Sequence, residues 1–374
     1  MGNKKSTSSG KPEKVIEIRL SFLVTAIVTF VVLIGVVVGI FVIANLDKDD
    51  TVIRGGSKDK SKTEQGTTAD KSPSVQAGAN NTPLFPTTEK RTSYKITTSS
   101  DVVMLTTETG ANNTVLVKVG ADGLVSTVEK NADAKMYPAS MTKVMTLLVA
   151  CERVTDLDKT LTVTKEIAQY AQDNDGSGAG LKVGESYKVR DLLYLISYQS
   201  DTIASILIAE HIAGSEAAFV ELMNQKVQSM GLEGTHFVNC TGLYNAEHYS
   251  TCKDIASIMA YALDNELAYK ILTSYNGYKM TVGGVDCTFY AAWYSGRPST
   301  NHLGFSDNPK LSNTRIIAGK TGYTDESGFT FVTVSQSSNG DRYINVTVGK
   351  PSGNGYNANL FMTDLKKLYN TYAK

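Results

Sequence analysis

The sequence predicts an α+β fold in which strands from both ends of one domain form a single sheet around a helical insert. Apolar and polar residues alternate over residues 101–131, with turn residues between the runs, which favours antiparallel hairpins. Over residues 140–265 apolar residues instead recur every three or four positions, as they do in amphipathic helices. Alternation returns after residue 275, and residues 360–372 form a last helical pattern. Such an order predicts one sheet packed against helices.

The first element in chain order is an apolar stretch, and we interpret residues 20–45 as a transmembrane signal-anchor helix. Residues 20–44 carry no charge, and at about 1.5 Å of rise per residue they exceed the roughly 30 Å of a bilayer's hydrocarbon core. Basic residues dominate residues 1–19, whereas aspartates follow the stretch. This asymmetry predicts a cytoplasmic basic tail, with the rest of the chain outside. A cleaved signal peptide is the alternative, since small residues surround Ala44.

The next segment, residues 46–94, is rich in Lys, Asp, Ser, Thr, Gly and Asn and poor in large apolar side chains. Such a composition buries too little apolar surface to offset the entropy lost when the chain is ordered. We predict a flexible low-complexity linker that holds a globular domain, residues 95–374, away from the membrane.

Charge and metal-ligand spacing argue against two classes of function. The 37 basic and 37 acidic residues balance, so the composition does not favour nucleic-acid binding. The four histidines and four cysteines show none of the spacings typical of zinc sites, and we expect neither a metal nor an organic cofactor. The cysteines are also too few and too scattered for a disulfide scaffold, and Cys151 continues an apolar helical stripe as a small buried side chain.

A serine and a lysine at the head of a helical run are the leading candidates for catalysis. Ser140 and Lys143 are three positions apart, so their side chains share one face of a helix. A serine hydroxyl needs an adjacent base to act as a nucleophile at neutral pH, and Lys143 can be that base if it is unprotonated. Partial burial and the charge of Lys320 are the two causes that we expect to lower the pKa of Lys143.

Two further motifs follow along the chain. Ser200-Asp201-Thr202 precedes a helical segment, and Lys320-Thr321-Gly322 ends a predicted strand. Taken singly, either motif could be an ordinary helix cap or turn, and Ser140 could be a helix cap. Together and in this order they match the S-x-x-K, S-D-N and K-T-G set of penicillin-binding proteins and class A β-lactamases. Thr202 departs from that set, in which asparagine is usual.

Across residues 100–374 the chain resembles the serine D-alanyl-D-alanine carboxypeptidases, which are low-molecular-mass penicillin-binding proteins. Four segments carry the likeness beyond the motifs: EKNADAKMYPASMTK, IAEHIAGSEAAFVELMNQKVQSMGLEGTHFVNCTGL, HYSTCKDIA and AGKTGYTDESG. The resemblance implies a penicillin-binding protein/β-lactamase-like transpeptidase fold, an antiparallel sheet flanked by helices with an all-helical subdomain. It also implies that residues 95–374 are a D,D-carboxypeptidase domain outside the membrane of a bacterium.

The resemblance further implies a role for each candidate residue. Ser140 would attack the terminal D-Ala-D-Ala bond of a peptidoglycan stem peptide, with Lys143 as base and Ser200 as proton relay to the leaving amine. The backbone N–H groups of Ser140 and Tyr323 would form the oxyanion hole. β-Lactam antibiotics would acylate the same serine. The residues expected to bind the substrate are Thr202, Lys320, Thr321 and Gly322.

Other functions stay open at this stage. If Thr202 marks a decayed site, the chain could be a non-catalytic peptidoglycan-binding or scaffold protein that still binds penicillin. A class A-like β-lactamase would need a deacylating glutamate, and the nearest sequence, residues 221–224, has the wrong spacing and lies in a helical segment. For an active enzyme, a polar contact left unmade by threonine predicts that Thr202→Asn raises acylation about two- to tenfold. If the pocket is instead adapted to threonine, asparagine would be overpacked or unsatisfied and acylation should fall.

Overall fold

The computed structural model describes residues 91, 93–106, 109–120, 123–275, 277–293, 311–355 and 357–373. The predicted basic tail, the predicted signal-anchor helix and nearly all of the predicted linker lie outside these residues. Within the described part of the chain, no single helix is long and apolar enough to cross a bilayer. One bent helix pair, Thr202–Ala213 with Glu216–Ser229, reaches the necessary length and apolar composition.

A six-stranded sheet forms the centre of the described domain. Its strands are β1 (Ile96–Met104), β2 (Asn113–Val119), β3 (Leu124–Lys130), β8 (Thr314–Thr324), β9 (Gly328–Ser337) and β10 (Arg342–Val348). They are arranged in the order β1-β3-β2-β10-β9-β8. β2 pairs antiparallel with β10, which joins the strands before the helices to those after them. The predicted sheet built from both ends of the domain is therefore confirmed.

The first strand differs from the predicted run of antiparallel hairpins. β2 and β3 form an antiparallel hairpin, but β1 pairs with β3 in the parallel direction. β2 already lies between β3 and β10, so the outer edge of β3 is the place left for β1. Because β1 runs opposite to β2, it runs parallel to β3, and the sheet is mixed rather than wholly antiparallel.

Helices cover both faces of the sheet. Before the last strands come α1 (Lys143–Arg153), α2 (Lys165–Asp173), α3 (Val189–Tyr198), α4 (Thr202–Ala213), α5 (Glu216–Ser229), α6 (Cys252–Leu263) and α7 (Glu266–Thr273), and α8 (Ala358–Tyr372) ends the described chain. Two ribbons lie outside the main sheet: β4 (Thr160–Thr162) with β5 (Ser186–Lys188), and β6 (Tyr278–Val282) with β7 (Val285–Phe289). The expectation that residues 277–284 join the main sheet is wrong, because β6 pairs only with β7 among the described strands.

Alternation along the central strands gives the domain two cores. On β2, Val115 and Val117 belong to the core shared with the helical block, whereas Leu116 belongs to the core beneath α8. Tyr369 of α8 reaches the sheet, where its hydroxyl and the hydroxyl of Thr333 are 2.6 Å apart. Each large apolar side chain buried in this way stabilises the fold by about 1.5–3 kcal/mol. Packing on both faces fixes the sheet and therefore the position of β8.

All four cysteines lie in the described part of the chain and carry free thiols. Cys151 is buried on α1, as its apolar stripe predicted.

Candidate active site

Ser140 lies in a short 3₁₀ turn, Ala139–Thr142, directly before α1. Ala139 has a φ of 47°, which lies in the left-handed region and is costly for a residue with a Cβ atom. Neighbouring backbone holds this conformation, since a Cβ added to Gly242 would lie 2.0 Å from the carbonyl oxygen of Ala139. The interpretation of Ser140 as a helix cap is wrong, because Pro138 and Thr142 occupy the cap positions of the turn and of α1.

Lys143 is the first residue of α1 and is buried with 2% of its surface exposed. Its Nζ atom donates to Oγ of Ser140 across 3.3 Å and to the carbonyl oxygen of Thr241 across 2.5 Å. Burial disfavours the ammonium form and lowers the pKa of Lys143 to about 8. An appreciable fraction of the amine is therefore unprotonated near neutral pH and can accept the proton of the serine.

Lys320 connects the third motif to the second. Its Nζ atom donates to Oγ of Ser200 across 2.9 Å and to the carbonyl oxygen of Thr321 across 2.7 Å. Burial, and then the charge of Lys143, hold the pKa of Lys320 well below its usual value. The charge effect thus acts on Lys320, whereas the sequence predicted that it would act on Lys143.

The turn at Ser200 is held by the residue that follows it. Ser200 has a φ of 55°, and the carboxylate of Asp201 caps α4 by accepting from the backbone N–H of Ala204 across 2.8 Å. The same carboxylate accepts from the backbone N–H of Ala179 across 2.6 Å. Because Asp201 caps the helix, the hydroxyl of Ser200 is left to face Lys320.

Thr202 begins α4 under a loop, residues 174–181, that the sequence did not single out. Its backbone N–H donates to the carbonyl oxygen of Ser177 across 2.8 Å, and only 1% of its surface is exposed. A Cβ added to Gly176 would lie 2.8 Å from Oγ1 of Thr202. The threonine side chain therefore packs against the backbone of this loop, one residue removed from Asp201 and two from Ser200.

The end of β8 lies against the 3₁₀ turn that carries Ser140, Ala139–Thr142, which we call the nucleophile turn. A Cβ added to Gly322 would lie 2.7 Å from the backbone nitrogen of Ser140 and 3.1 Å from Cβ of Ala139. β8 is also the edge strand of the described sheet, so one side of its backbone is open beside Ser140. Tyr323 follows at this edge with an exposed side chain, whose hydroxyl donates to Asp325 across 2.9 Å.

Two supporting groups were missed from the sequence. The first is the loop at residues 239–242, where the side-chain oxygen of Asn239 accepts from the backbone N–H groups of Thr241 and Gly242 across 3.2 and 2.7 Å. This loop presents the carbonyl group that binds Lys143. A backbone acceptor has no residue-type signature, and the segment was noted only as part of the family likeness.

The second is His248, which is buried behind the nucleophile turn. Its Nδ1 atom accepts from the backbone N–H of Val238 across 3.2 Å, so Nε2 carries the proton and donates to the Thr142 hydroxyl across 2.8 Å. Burial lowers the pKa of His248 to about 3 and keeps the ring neutral. The sequence considered this residue only as a zinc ligand. In the described part of the chain no three His, Cys, Asp or Glu side chains are grouped to hold a metal ion.

The arrangement can support nucleophilic acyl transfer. The buried amine of Lys143 lies within hydrogen-bonding distance of the Ser140 hydroxyl, and the amine of Lys320 donates to the hydroxyl of Ser200. The fold that presents this site is also that of the Streptomyces K15 DD-transpeptidase, with a TM-score of 0.59 over 72% of this chain and 98% of that one, at 23% identity. The fold is therefore that of the DD-transpeptidase class of penicillin-binding proteins.

The sequence comparison narrows this class to one family. The D-alanyl-D-alanine carboxypeptidase family matches residues 95–352, and the chain belongs to this family. It is 38% identical over 148 residues to D-alanyl-D-alanine carboxypeptidase DacF of Bacillus subtilis, which covers 40% of this chain and 37% of that protein. It is 30% identical over 229 residues to D-alanyl-D-alanine carboxypeptidase DacA of Haemophilus influenzae, covering 60% and 54%. The matches thus span only about a third to a half of these relatives' lengths.

Proposed function

We propose that the protein is a membrane-anchored serine D-alanyl-D-alanine carboxypeptidase that removes the terminal D-alanine from peptidoglycan pentapeptide stems. The observation that carries the proposal is the pairing of two buried lysines with two serines, Lys143 with Ser140 and Lys320 with Ser200. Membership of the carboxypeptidase family supports the choice of substrate.

Acylation begins with Ser140. Its hydroxyl proton passes to the unprotonated amine of Lys143 while Oγ forms a bond to the carbonyl carbon of the penultimate D-alanine. The oxyanion that results lies at the backbone N–H groups of Ser140 and Tyr323, and each such donor is worth a few kcal/mol in related chemistry, about 2.7–4 kcal/mol in one serine protease. The closeness of Gly322, which precedes Tyr323, to the backbone nitrogen of Ser140 supports this assignment.

Collapse of the tetrahedral intermediate breaks the peptide bond and releases D-alanine. The leaving nitrogen takes a proton from the Ser200 hydroxyl, and Ser200 is reprotonated by Lys143, which returns to the amine. The hydrogen bond from Lys320 occupies a lone pair of Ser200 and leaves its own hydrogen free to be donated. Water then adds to the acyl-enzyme with Lys143 as base, the ester bond breaks, and Ser140 regains its proton.

Binding of the substrate carboxylate is assigned to Lys320 and Thr321. An arriving carboxylate favours the ammonium form of Lys320, in opposition to the burial and the Lys143 charge that hold the pKa of Lys320 low. The peptide upstream of the scissile bond would add along the open edge of β8, where main-chain hydrogen bonds align an extended strand. Gly322 permits this close approach because it has no side chain.

A β-lactam presents the same carbonyl and carboxylate, and we propose that it opens on Ser140 to form a stable adduct. Intact-mass analysis of the full-length chain after exposure to benzylpenicillin tests this, with the adduct mapped by peptide digestion. Ser140→Ala is the control, and it should lose the adduct without loss of thermal stability, because Ser140 caps no helix. An adduct that persists in this variant would refute the nucleophile assignment.

Release of D-alanine from a synthetic pentapeptide separates the remaining functions. A carboxypeptidase releases D-alanine and holds the penicillin adduct for long times. Rapid turnover of penicillin would instead indicate a β-lactamase. That outcome is not expected, since Glu221 lies exposed on α5 and Asn224 is bonded to the backbone of Phe237. An adduct without D-alanine release would indicate a penicillin-binding scaffold protein.

We propose that residues 20–45 anchor the enzyme in the cell membrane by a single span, with residues 1–19 in the cytoplasm and the catalytic domain outside. The support is the uncharged length of residues 20–44 and the basic residues before it. Protease added to intact protoplasts should release the domain by cleavage within residues 46–94. Full protection, with cleavage only after lysis, would reverse the orientation.

A further inference from the structure

Glu216, which the mechanism above leaves unused, lies behind the loop that binds Lys143. Its Oε1 atom accepts from the backbone N–H of Cys240 across 3.0 Å. The carbonyl oxygen of Cys240 accepts from the hydroxyl of Thr146 across 2.7 Å, which places this residue directly on α1. The next carbonyl group, that of Thr241, accepts from Lys143. Glu216 and Lys143 are therefore separated by two peptide units of one firmly held loop.

Titratable groups from several elements interact electrostatically with Lys143. Its charged form is favoured by Cys240 in the loop at 239–242, Asp201 at the start of α4 and Glu216 on α5, and its own charge lowers the pKa of His248 and of Lys320 on β8. The Cys240 thiol stays protonated because burial raises its pKa well above the usual value. Burial keeps His248 neutral and favours the neutral amine of Lys320. Only carboxylates then remain in this group to stabilise an ammonium ion.

The two carboxylates differ in what else they hold. Asp201 caps α4 and binds the loop at Ala179, so its loss would disturb the turn that carries Ser200. Glu216 contacts the site through Cys240, and its half-buried position at the start of α5 leaves room for an isosteric amide. Both carboxylates favour the ammonium form of Lys143, in opposition to burial.

We propose that Glu216 is a positioning residue for acylation: its carboxylate fixes the loop at Cys240, and its negative charge sets the pH range over which Lys143 can act as a base. The inference rests on the proposed function, because it concerns the acylation of Ser140. The charge of Glu216 opposes the effect of burial on the pKa of Lys143. Burial alone would leave Lys143 a weaker base with less affinity for the serine proton.

Two variants separate the two parts of this role. Glu216→Gln keeps an oxygen for Cys240 but removes the charge, so the acylation–pH profile should move to lower pH by roughly half a unit or more. At a pH one unit below the wild-type midpoint, the acylation rate as a fraction of the plateau rate should be about threefold higher in this variant than in the wild type. Glu216→Asp keeps the charge but shortens the side chain, so the plateau should fall while the midpoint stays. Glu221→Gln makes the same charge change at an exposed site on α5 and should move neither.

A direct titration of Lys143 makes the test independent of enzymatic activity. The full-length chain is labelled with ¹³C-lysine, the Cε signal of Lys143 is assigned from its absence in Lys143→Arg, and its midpoint is read by NMR. We expect a lower midpoint in Glu216→Gln and an unchanged one in Glu216→Asp. Equal Lys143 midpoints in Glu216→Gln and wild type would overturn the proposal, and so would a lower Lys143 midpoint in Glu216→Asp. If the Lys143 midpoints change as expected but the wild type forms no penicillin adduct, only the proposed function is refuted.

Discussion

A methyl group on Gly322 would lie 2.7 Å from the backbone nitrogen of Ser140. Real Cβ atoms essentially never lie that close to backbone, so there is no room for a side chain between Gly322 of β8 and the turn that carries Ser140. The same position would also be 2.5 Å from the hydroxyl oxygen of Thr330, and this hydroxyl donates to the carbonyl oxygen of Pro138 across 3.3 Å. Any side chain at 322 therefore displaces β8 relative to the turn that carries Ser140.

Gly322→Ala should for this reason reduce penicillin acylation by a factor of 100 or more, about the effect of losing one oxyanion-hole donor. The acylation rate constant with a fluorescent penicillin measures it. Gly123→Ala is the matched control, because a Cβ there meets nothing within 4 Å, and its rate should equal that of the wild type. Near wild-type acylation in Gly322→Ala would show that the turn can move without loss of function.

The acylation rate of the wild-type protein should depend on the protonation of Lys143. Since only the neutral amine can accept the serine proton, the rate should rise with pH and level off above the lysine's pKa of about 8. Lys143→Ala should lower the plateau far more than it weakens substrate binding. Measurement of acylation between pH 5 and pH 10 checks both, and a pH-independent rate would contradict the role of Lys143 as base.

His248 predicts a dependence of stability on pH. Its folded pKa of about 3 is below the unfolded value of 6.5, so the unfolded chain binds the proton first as pH falls. The stabilisation is complete above pH 6.5 and is lost progressively between pH 6.5 and pH 3, at about 1.4 kcal/mol per pKa unit of difference.

Urea unfolding of wild type and of His248→Gln at pH 7 and at pH 4.5 isolates this contribution. The free energies of the two proteins should converge as the pH falls, because glutamine does not titrate. His236→Gln is a control, since its ring lies nearer the surface, where it binds the carbonyl oxygen of Glu247 at 2.7 Å and packs beside the ring of Tyr249. A wild-type minus His248→Gln difference that is the same at both pH values would exclude a neutral buried histidine.

The sequence was most informative where a function depends on side-chain identity and spacing. The spacing of Ser140 and Lys143 implied a shared helix face, and their reactive atoms are 3.3 Å apart. The α+β order followed from two hydrophobic periods that differ clearly. Alternation alone does not encode which neighbour an edge strand chooses, and the parallel position of β1 was missed for that reason.

The carbonyl group of Thr241 and the loop over Thr202 were missed for another reason. Their contributions are made by backbone atoms, and any residue type could supply them. The contact of Gly176 with Thr202 spans 26 positions and becomes visible only in three dimensions.

That contact changes the expectation for Thr202→Asn. The sequence predicted a two- to tenfold gain in acylation on the assumption of an unaltered pocket, a value about that of one hydrogen bond. In the structure the threonine is 1% exposed and packs on the loop at Gly176, so a longer amide would push the loop outward or leave a polar group unpaired. We therefore expect Thr202→Asn to lower stability by about 1–3 kcal/mol and to slow acylation.

Thr202→Ser, which keeps the hydroxyl and removes a methyl group, is the control and should retain the wild-type rate. Acylation of all three proteins by the same depsipeptide and penicillin, together with their urea midpoints, decides the question. A faster, fully stable asparagine variant would show that the loop yields easily and that Thr202 only leaves a substrate contact unmade.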